Sequence, residues 1–200
     1  MKHITILLAF LITLSSPVAA QDFQKGYDAA QAGDFATALQ EWAPLAEAGD
    51  ASAQINLGFM YINGRGVPQD YKEAVKWYKL AAEQGFANAQ YNLGVMYDNG
   101  DGVLQNNTMA HMWYNIGAAN GYEPGGSNRD KVAKRMTQAA IETATTMARE
   151  CMSSNFNGCV IRSEIPEHTN NEEEKSFFDQ QNKMVNCSQP LPVFTLGLNS

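Results

Sequence analysis

GDASAQINLGFMYINGRGVPQDYKEAVKWYKLAAEQ, residues 49–84, is followed directly by GFANAQYNLGVMYDNGDGVLQNNTMAHMWYNIGAAN, residues 85–120. Aligned without a gap, 18 of the 36 positions are identical. A period of this length means one supersecondary unit stacked on copies of itself, because a single unit cannot bury its apolar face alone. Each copy carries two helices. Ala89, Leu93, Met96 and Tyr97 stand at helical spacing and predict a helix over 87–99. Gly100 follows as a C′ residue, since glycine tolerates the left-handed backbone that ends helices, and Asn106 can cap the next helix. In the earlier copy the loop is Gly64-Arg65-Gly66-Val67-Pro68, and Asp70 with Glu73 three residues later has the capping-box pattern. Its second helix carries Ala74, Val75, Trp77, Tyr78 and Ala81.

A weaker copy comes first. Phe23 to Ala32 gives its first helix, Gly33-Asp34 the turn, and Phe35 to Ala48 its second helix, which contains Trp42. Pro44 lacks a backbone donor and is expected to kink or break that helix. The repeats are thus expected at about 22–48, 49–84 and 85–121. Tyr122-Glu123-Pro124-Gly125-Gly126-Ser127 then interrupts the pattern, so the stack should be bent or loosened there. Helix is expected to resume with Ser127 or Asn128 as cap, giving a closing helix pair over 127–150. From about Met152 the chain shows asparagine clusters, the run Glu172-Glu173-Glu174, and prolines 166, 190 and 192. Without sustained periodicity, 151–200 reads as a largely irregular C-terminal extension.

The first twenty residues read as a secretory signal: Lys2, a mostly apolar run from Ile4 to Leu14, the breaker Ser15-Ser16-Pro17, and small residues at Val18-Ala19-Ala20. Cleavage is expected between Ala20 and Gln21, giving an exported chain, periplasmic or secreted. The apolar run is shorter than the roughly 20 residues a bilayer span needs, and no later segment suits one, so no membrane insertion is expected. Cleavage would take the formal net charge from −7 to −8 by removing Lys2. An acidic balance argues against a nucleic-acid partner, whose phosphates call for clustered Lys and Arg.

These residues resemble the Sel1-like repeat family, a relative of tetratricopeptide repeats. The likeness rests on AxAQxNLGxMYxNGxGVxQ followed by AxxWYxxxA in both good copies. GDFATALQEWAPLAEAGDA is similar to the opening copy of exported bacterial members, and NRDKVAKRMTQAAIETATTMARE to a closing helix pair. The resemblance implies an all-α fold, an αα-solenoid of Sel1-like, tetratricopeptide-like helix pairs. It also implies adaptors that hold other proteins, including regulators of sensor kinases and parts of exopolysaccharide export systems.

Catalytic patterns are missing. The G-x-G in each loop follows a helix, whereas a phosphate cradle follows a strand. His111 and His168 lack metal-ligand spacing, and no Ser/His/Asp order, HExxH or CxxC occurs. No cofactor and no metal is therefore expected. Cys151 and Cys159 close the shortest loop and are the expected disulfide; the alternative of a catalytic thiol lacks a neighbour to lower its pKa. Trp42, Trp77, Trp113, Tyr61, Tyr97, Tyr78 and Tyr114 recur at repeat positions, which favours packing over carbohydrate stacking.

Differences between the copies point to a site. In the first helix of each good copy, Ser52/Asn88, Ile55/Tyr91, Phe59/Val95 and Ile62/Asp98 change, at offsets of three or four, so they share one helical face. Ala53, Leu57 and Tyr61 with their later counterparts form the adjoining, shared face. Phe23 and Tyr27 fall at matching places in the opening copy. The candidate partner-binding groove comprises Tyr27, Ile55, Phe59, Ile62, Tyr91, Val95 and Asp98, with Asn63 and Asn99 placed to hydrogen-bond a peptide backbone. Either this stripe is a binding surface or the closing helices or the tail cover it.

The first functional reading is a non-enzymatic protein-binding or scaffold protein of the bacterial envelope, taking a peptide or protein segment on its concave helix-A face. The alternative is a Sel1-like enzyme of the β-lactamase or penicillin-binding type, although this chain has no cysteine pairs within its repeats and no S-x-x-K motif. A third reading has the stack serve as host for the tail, with Cys187 bonded to a partner or a second copy.

Overall fold

The computed structural model describes residues 22–156 and Cys159. The chain divides into two units, residues 1–157 and 158–200, and of the second only Cys159 is described. The expected signal segment, Cys187, His168 and nearly all of the expected irregular tail lie outside the described residues.

Among the described residues the structure is wholly helical: α1 (Phe23–Gln31), α2 (Phe35–Glu47), α3 (Ala51–Asn63), α4 (Tyr71–Glu83), α5 (Ala87–Asn99), α6 (Asn107–Ala119), α7 (Pro124–Ala133) and α8 (Gln138–Ser153). Short polar side chains set the starts. Asp22, Asp34, Asp50, Asp70, Asn106 and Thr137 each accept a hydrogen bond from a backbone N–H of the first turn, satisfying donors that have no intrahelical partner. α5 has Phe86 at this place and no side-chain cap. α3 and α5 both end on a left-handed glycine, Gly64 and Gly100.

Each helix from α1 to α6 packs on the next, so the pairs α1/α2, α3/α4 and α5/α6 form the three copies. The core is made by the face the good copies share. Ala53, Leu57 and Met60 of α3, and Ala89, Leu93 and Met96 of α5, are at most 1% exposed. Helix approach is closest at a glycine in each first helix. A β-carbon added at Gly26, Gly58 or Gly94 would meet the ring of Trp42, Tyr78 or Tyr114 at 2.6, 2.8 or 2.5 Å. The three rings are thus equivalent. Trp42 takes the place of the tyrosines and does not correspond to Trp77 and Trp113, a regrouping concealed because the later copies carry tryptophan and tyrosine side by side at 77/78 and 113/114.

Two glutamines join copy to copy. Gln54, 3% exposed, donates to the Ala46 carbonyl at 3.0 Å and accepts from Gln84 at 2.9 Å. Gln90, fully buried, repeats this with Ala82 at 3.1 Å and Asn120 at 2.8 Å. Each adds a side-chain donor to a carbonyl in the last turn of the preceding helix, which also accepts from the backbone N–H of Gly49 or Gly85. The second glycine of each loop serves the same junction. A β-carbon at Gly66 would lie 2.7 Å from the Phe35 carbonyl oxygen, and one at Gly102 2.4 Å from that of Tyr71. Both residues also have positive φ, 71° and 72°. These glycines let the loop rest on the first turn of the preceding second helix as well as turn the chain.

Several expectations are corrected. α2 runs through Pro44 to Glu47, so the ladder donor that the proline removes does not end the helix. Only half of the capping box forms: Asp70 accepts from Lys72 and Glu73, while the Glu73 carboxylate pairs with Lys76 and the Asp70 N–H donates to the Tyr61 carbonyl. Helix resumes at Pro124, ahead of Ser127, because proline at the first helical position sacrifices a donor that has no partner there. Gly125 stays in that helix for packing, since its β-carbon would come 2.6 Å from the Tyr114 carbonyl oxygen. α7 is therefore seated tightly on α6 and not loosened from it. α8 also packs chiefly on α6, so the last two helices do not close the stack as a pair packed on each other.

Candidate functional site

The varying stripe of the first helices is left outside the core. Tyr27 is 45% and Phe59 47% exposed, Asn63 and Asn99 are exposed, and Ile55, Ile62, Tyr91, Val95 and Asp98 are half-buried. The reason is helical phase: Leu57 and Leu93 point at the partner helix, and residues two positions away point across the turn from it.

The two ends of the stripe differ. At the α5 end, α7 and the turn before it reach over the surface. The Asn128 amide donates to the Tyr91 hydroxyl at 2.9 Å, and the Tyr122 ring lies 4.8 Å from that of Tyr91. Arg135 pairs with the Asp98 carboxylate. Burial first, and then the Asp98 charge, push the Tyr114 phenol up from its ordinary value, so it remains a protonated donor beneath Tyr91. At the α1–α3 end no helix among the described residues crosses the stripe in this way. There the Arg65 guanidinium stacks on Phe59 and Phe35, 5.2 Å from each ring centre. The covering elements therefore take one end of the predicted groove and leave the other.

The two asparagines are partly committed. Asn63 donates to the Phe59 carbonyl at 2.7 Å and Asn99 to the Asp101 carboxylate at 3.0 Å. Gln69 and Gln105, from the GVxQ motif, donate to the Ile62 and Asp98 carbonyls at 2.6 and 2.7 Å. The ends of α3 and α5 are thus closed by their own loops, which leaves side chains, more than free backbone carbonyls, to meet a ligand.

The aromatic set expected to pack does so: Trp42, Tyr78, Tyr97, Trp113 and Tyr114 are buried, while Tyr61 and Trp77 are half-buried. Cys151 and Cys159 are both buried. Among the described residues no group of three or more His, Cys, Asp or Glu could hold a metal, and no helix is long and apolar enough to cross a membrane.

His111, a titratable group between Met109 and Trp113, is packed as its helix-B position suggests. It is 4% exposed on α6, and its Nδ1 has no hydrogen-bond partner. Burial, reinforced by Arg129, lowers its pKa from the ordinary 6.5, while Asp130 opposes. A folded-state pKa below the unfolded one means that the unfolded chain takes up the proton first. Stability held above pH 6.5 is therefore expected to fall as the pH drops through and below that value. Urea midpoints measured from pH 7.5 downward should show the loss. His111→Leu should flatten this part of the profile, and an unchanged slope would remove His111 as its source.

The Sel1 repeat family matches residues 51–86 and 87–122, offset by two residues from the period as first written. The chain carries two Sel1 repeats. Its structure is similar to that of c5321, a protective antigen of uropathogenic Escherichia coli with an SLR fold, at a TM-score of 0.63 and 26% identity over 72% of this chain and 32% of that one. It is also similar to a Sel1 repeat protein from Oxalobacter formigenes, at a TM-score of 0.52 and 30% identity over 54% of this chain and 44% of that one. The chain thus spans less than half the length of either. No curated protein matches the sequence. Sel1-repeat proteins generally mediate protein–protein interaction.

Proposed function

We propose that this chain, built on Sel1 repeats, is a non-enzymatic scaffold of the bacterial envelope that binds a peptide or protein segment along the helix-A stripe. The observation that carries the reading is the division within each first helix. The shared apolar residues Ala53, Leu57 and Met60 and their counterparts are buried, and the differing residues lie outside that core, with Tyr27 and Phe59 close to half exposed at equivalent places in neighbouring copies. A stack needs the shared face to hold together, and nothing in its packing requires exposed aromatic rings at those two places. Aromatic side chains on a rigid surface provide large contact area at little cost in conformational entropy. Export after Ala20 and a bond between Cys151 and Cys159 belong to the same proposal, since a disulfide persists in an oxidising compartment.

The test is capture from envelope extract by the full chain beside Tyr27→Ser/Phe59→Ser. These rings are chosen because Tyr91 supports α7, so replacing it would disturb the fold as well as the surface. The expected result is a partner retained by the native chain and lost, by at least about tenfold in affinity, by a variant with the same helical circular dichroism. Equal retention by both would move the site elsewhere.

A further inference from the structure

Arg65 stands between Gly64 and Gly66, where the later copy has Asp101. Asp101 is engaged by Asn99 within its own loop. Arg65 is held differently, by the faces of two rings, Phe35 at the start of α2 and Phe59 in α3. A cation–ring contact does not consume the N–H donors of the guanidinium, which remain available to an acceptor. Among the described residues no carboxylate takes them, whereas Arg129 pairs with Asp130 and Arg135 with Asp98. Acidic residues outnumber basic ones by 21 to 14 in this chain, yet Arg65 meets two rings and, among the described residues, no acid. Contact with two rings restricts the exposed side chain before any ligand arrives, which lowers the ordering cost of binding a carboxylate.

We infer that Arg65 anchors an acidic side chain, Asp or Glu, of an extended peptide whose neighbouring apolar side chains lie on Phe59 and Tyr27. The inference rests on the binding stripe proposed above and names the chemistry of its ligand. The net negative charge of the chain does not oppose it at contact. Repulsion from remote acids is screened beyond about 8 Å at physiological ionic strength, and a bidentate pair at contact is not.

A random decapeptide display library panned on the full chain, on Arg65→Gln and on Tyr27→Ser/Phe59→Ser tests this. The native chain should select peptides rich in Asp or Glu beside apolar residues. Arg65→Gln, with an unchanged circular dichroism spectrum, should keep the apolar preference and lose the acidic one. For one selected peptide, Glu→Gln should weaken binding about tenfold or more to the native chain and leave binding to Arg65→Gln unchanged. Arg65→Lys should restore only part of the difference, since an ammonium neither stacks flat nor forks. A native pool without acidic enrichment, yet still dependent on Tyr27 and Phe59, would overturn the anchor and leave the stripe standing. No enrichment of any sequence would overturn both. A native dimer that Arg65→Gln converts to monomer would overturn the inference by placing a second copy on this surface.

Discussion

Gly94→Leu is expected to lower the thermal midpoint by roughly 10 °C, corresponding to about 3 kcal/mol in a domain of this size. A β-carbon at Gly94 would lie 2.5 Å from Cδ1 and 2.7 Å from Cε1 of Tyr114. Tyr114 has little room to yield. It is 1% exposed, the Tyr91 ring lies 5.5 Å from its own, and Gly125 of α7 presses on its backbone. The branched leucine side chain would have to push α5 and α6 apart, and well-packed interiors relax such strain only in part. Gly126→Ala is the matched control. It lies in α7 with nothing within 4 Å of its added carbon, so alanine should leave the midpoint level or raise it by up to about 1 kcal/mol in stability. Thermal melts followed by circular dichroism compare the two. A Gly94→Leu midpoint equal to the native one would mean that the ring gives way and that close approach is not the reason for this glycine.

Gly102→Ala should cost a similar amount through a different junction. Here the added carbon would stand 2.4 Å from both the carbonyl carbon and the oxygen of Tyr71. Those atoms belong to backbone at the first turn of α4, so no side-chain rotation relieves the contact. The left-handed conformation at φ 72° adds about 1 kcal/mol for any residue with a β-carbon, and the clash brings the expected total to about 3 kcal/mol. Gly100→Ala separates the two causes. It has φ 81°, but its nearest neighbours are the Gln105 β-carbon at 3.2 Å and the Gln105 backbone nitrogen at 3.4 Å, contacts that a shift of a few tenths of an ångström relieves, so it should lose less, about 1–2 kcal/mol. Urea midpoints of both variants decide the matter. Equal losses would mean that Gly102 is needed for its backbone conformation alone, and that the loop does not bear on the preceding copy.

Much of the helical scaffold could be read from local chemistry. α5 spans the 87–99 that its apolar spacing marked, Asn106 caps α6, and Gly100 ends α5 in the left-handed region. The α7 start was misplaced because Pro124-Gly125-Gly126 reads locally as a loop. A tertiary contact that only glycine permits reversed that reading. The glutamine of the AxAQ motif went without a role for a related reason: its partners, Gln84 and Asn120, lie 30 residues away in sequence, and no local pattern announces them.

The same distinction divides the candidate site. Offsets of three and four between the differing residues were enough to place them on one stripe, beside and not within the shared face, because helical phase follows from spacing alone. What covers that stripe does not follow from spacing. Asn128 reaches Tyr91 and Arg135 reaches Asp98 across 37 residues each, and these long-range contacts cover the α5 end. Arg65 gains a second ring contact only because Phe35, thirty positions earlier, comes to rest beside it as well as Phe59. By itself the sequence determined the repeat, the helix pairs and the face that packs, since each depends on neighbours within one or two turns. Only the tertiary structure decided which part of the remaining face stays open and which charge stands ready on it, because those depend on how separate copies are seated on one another.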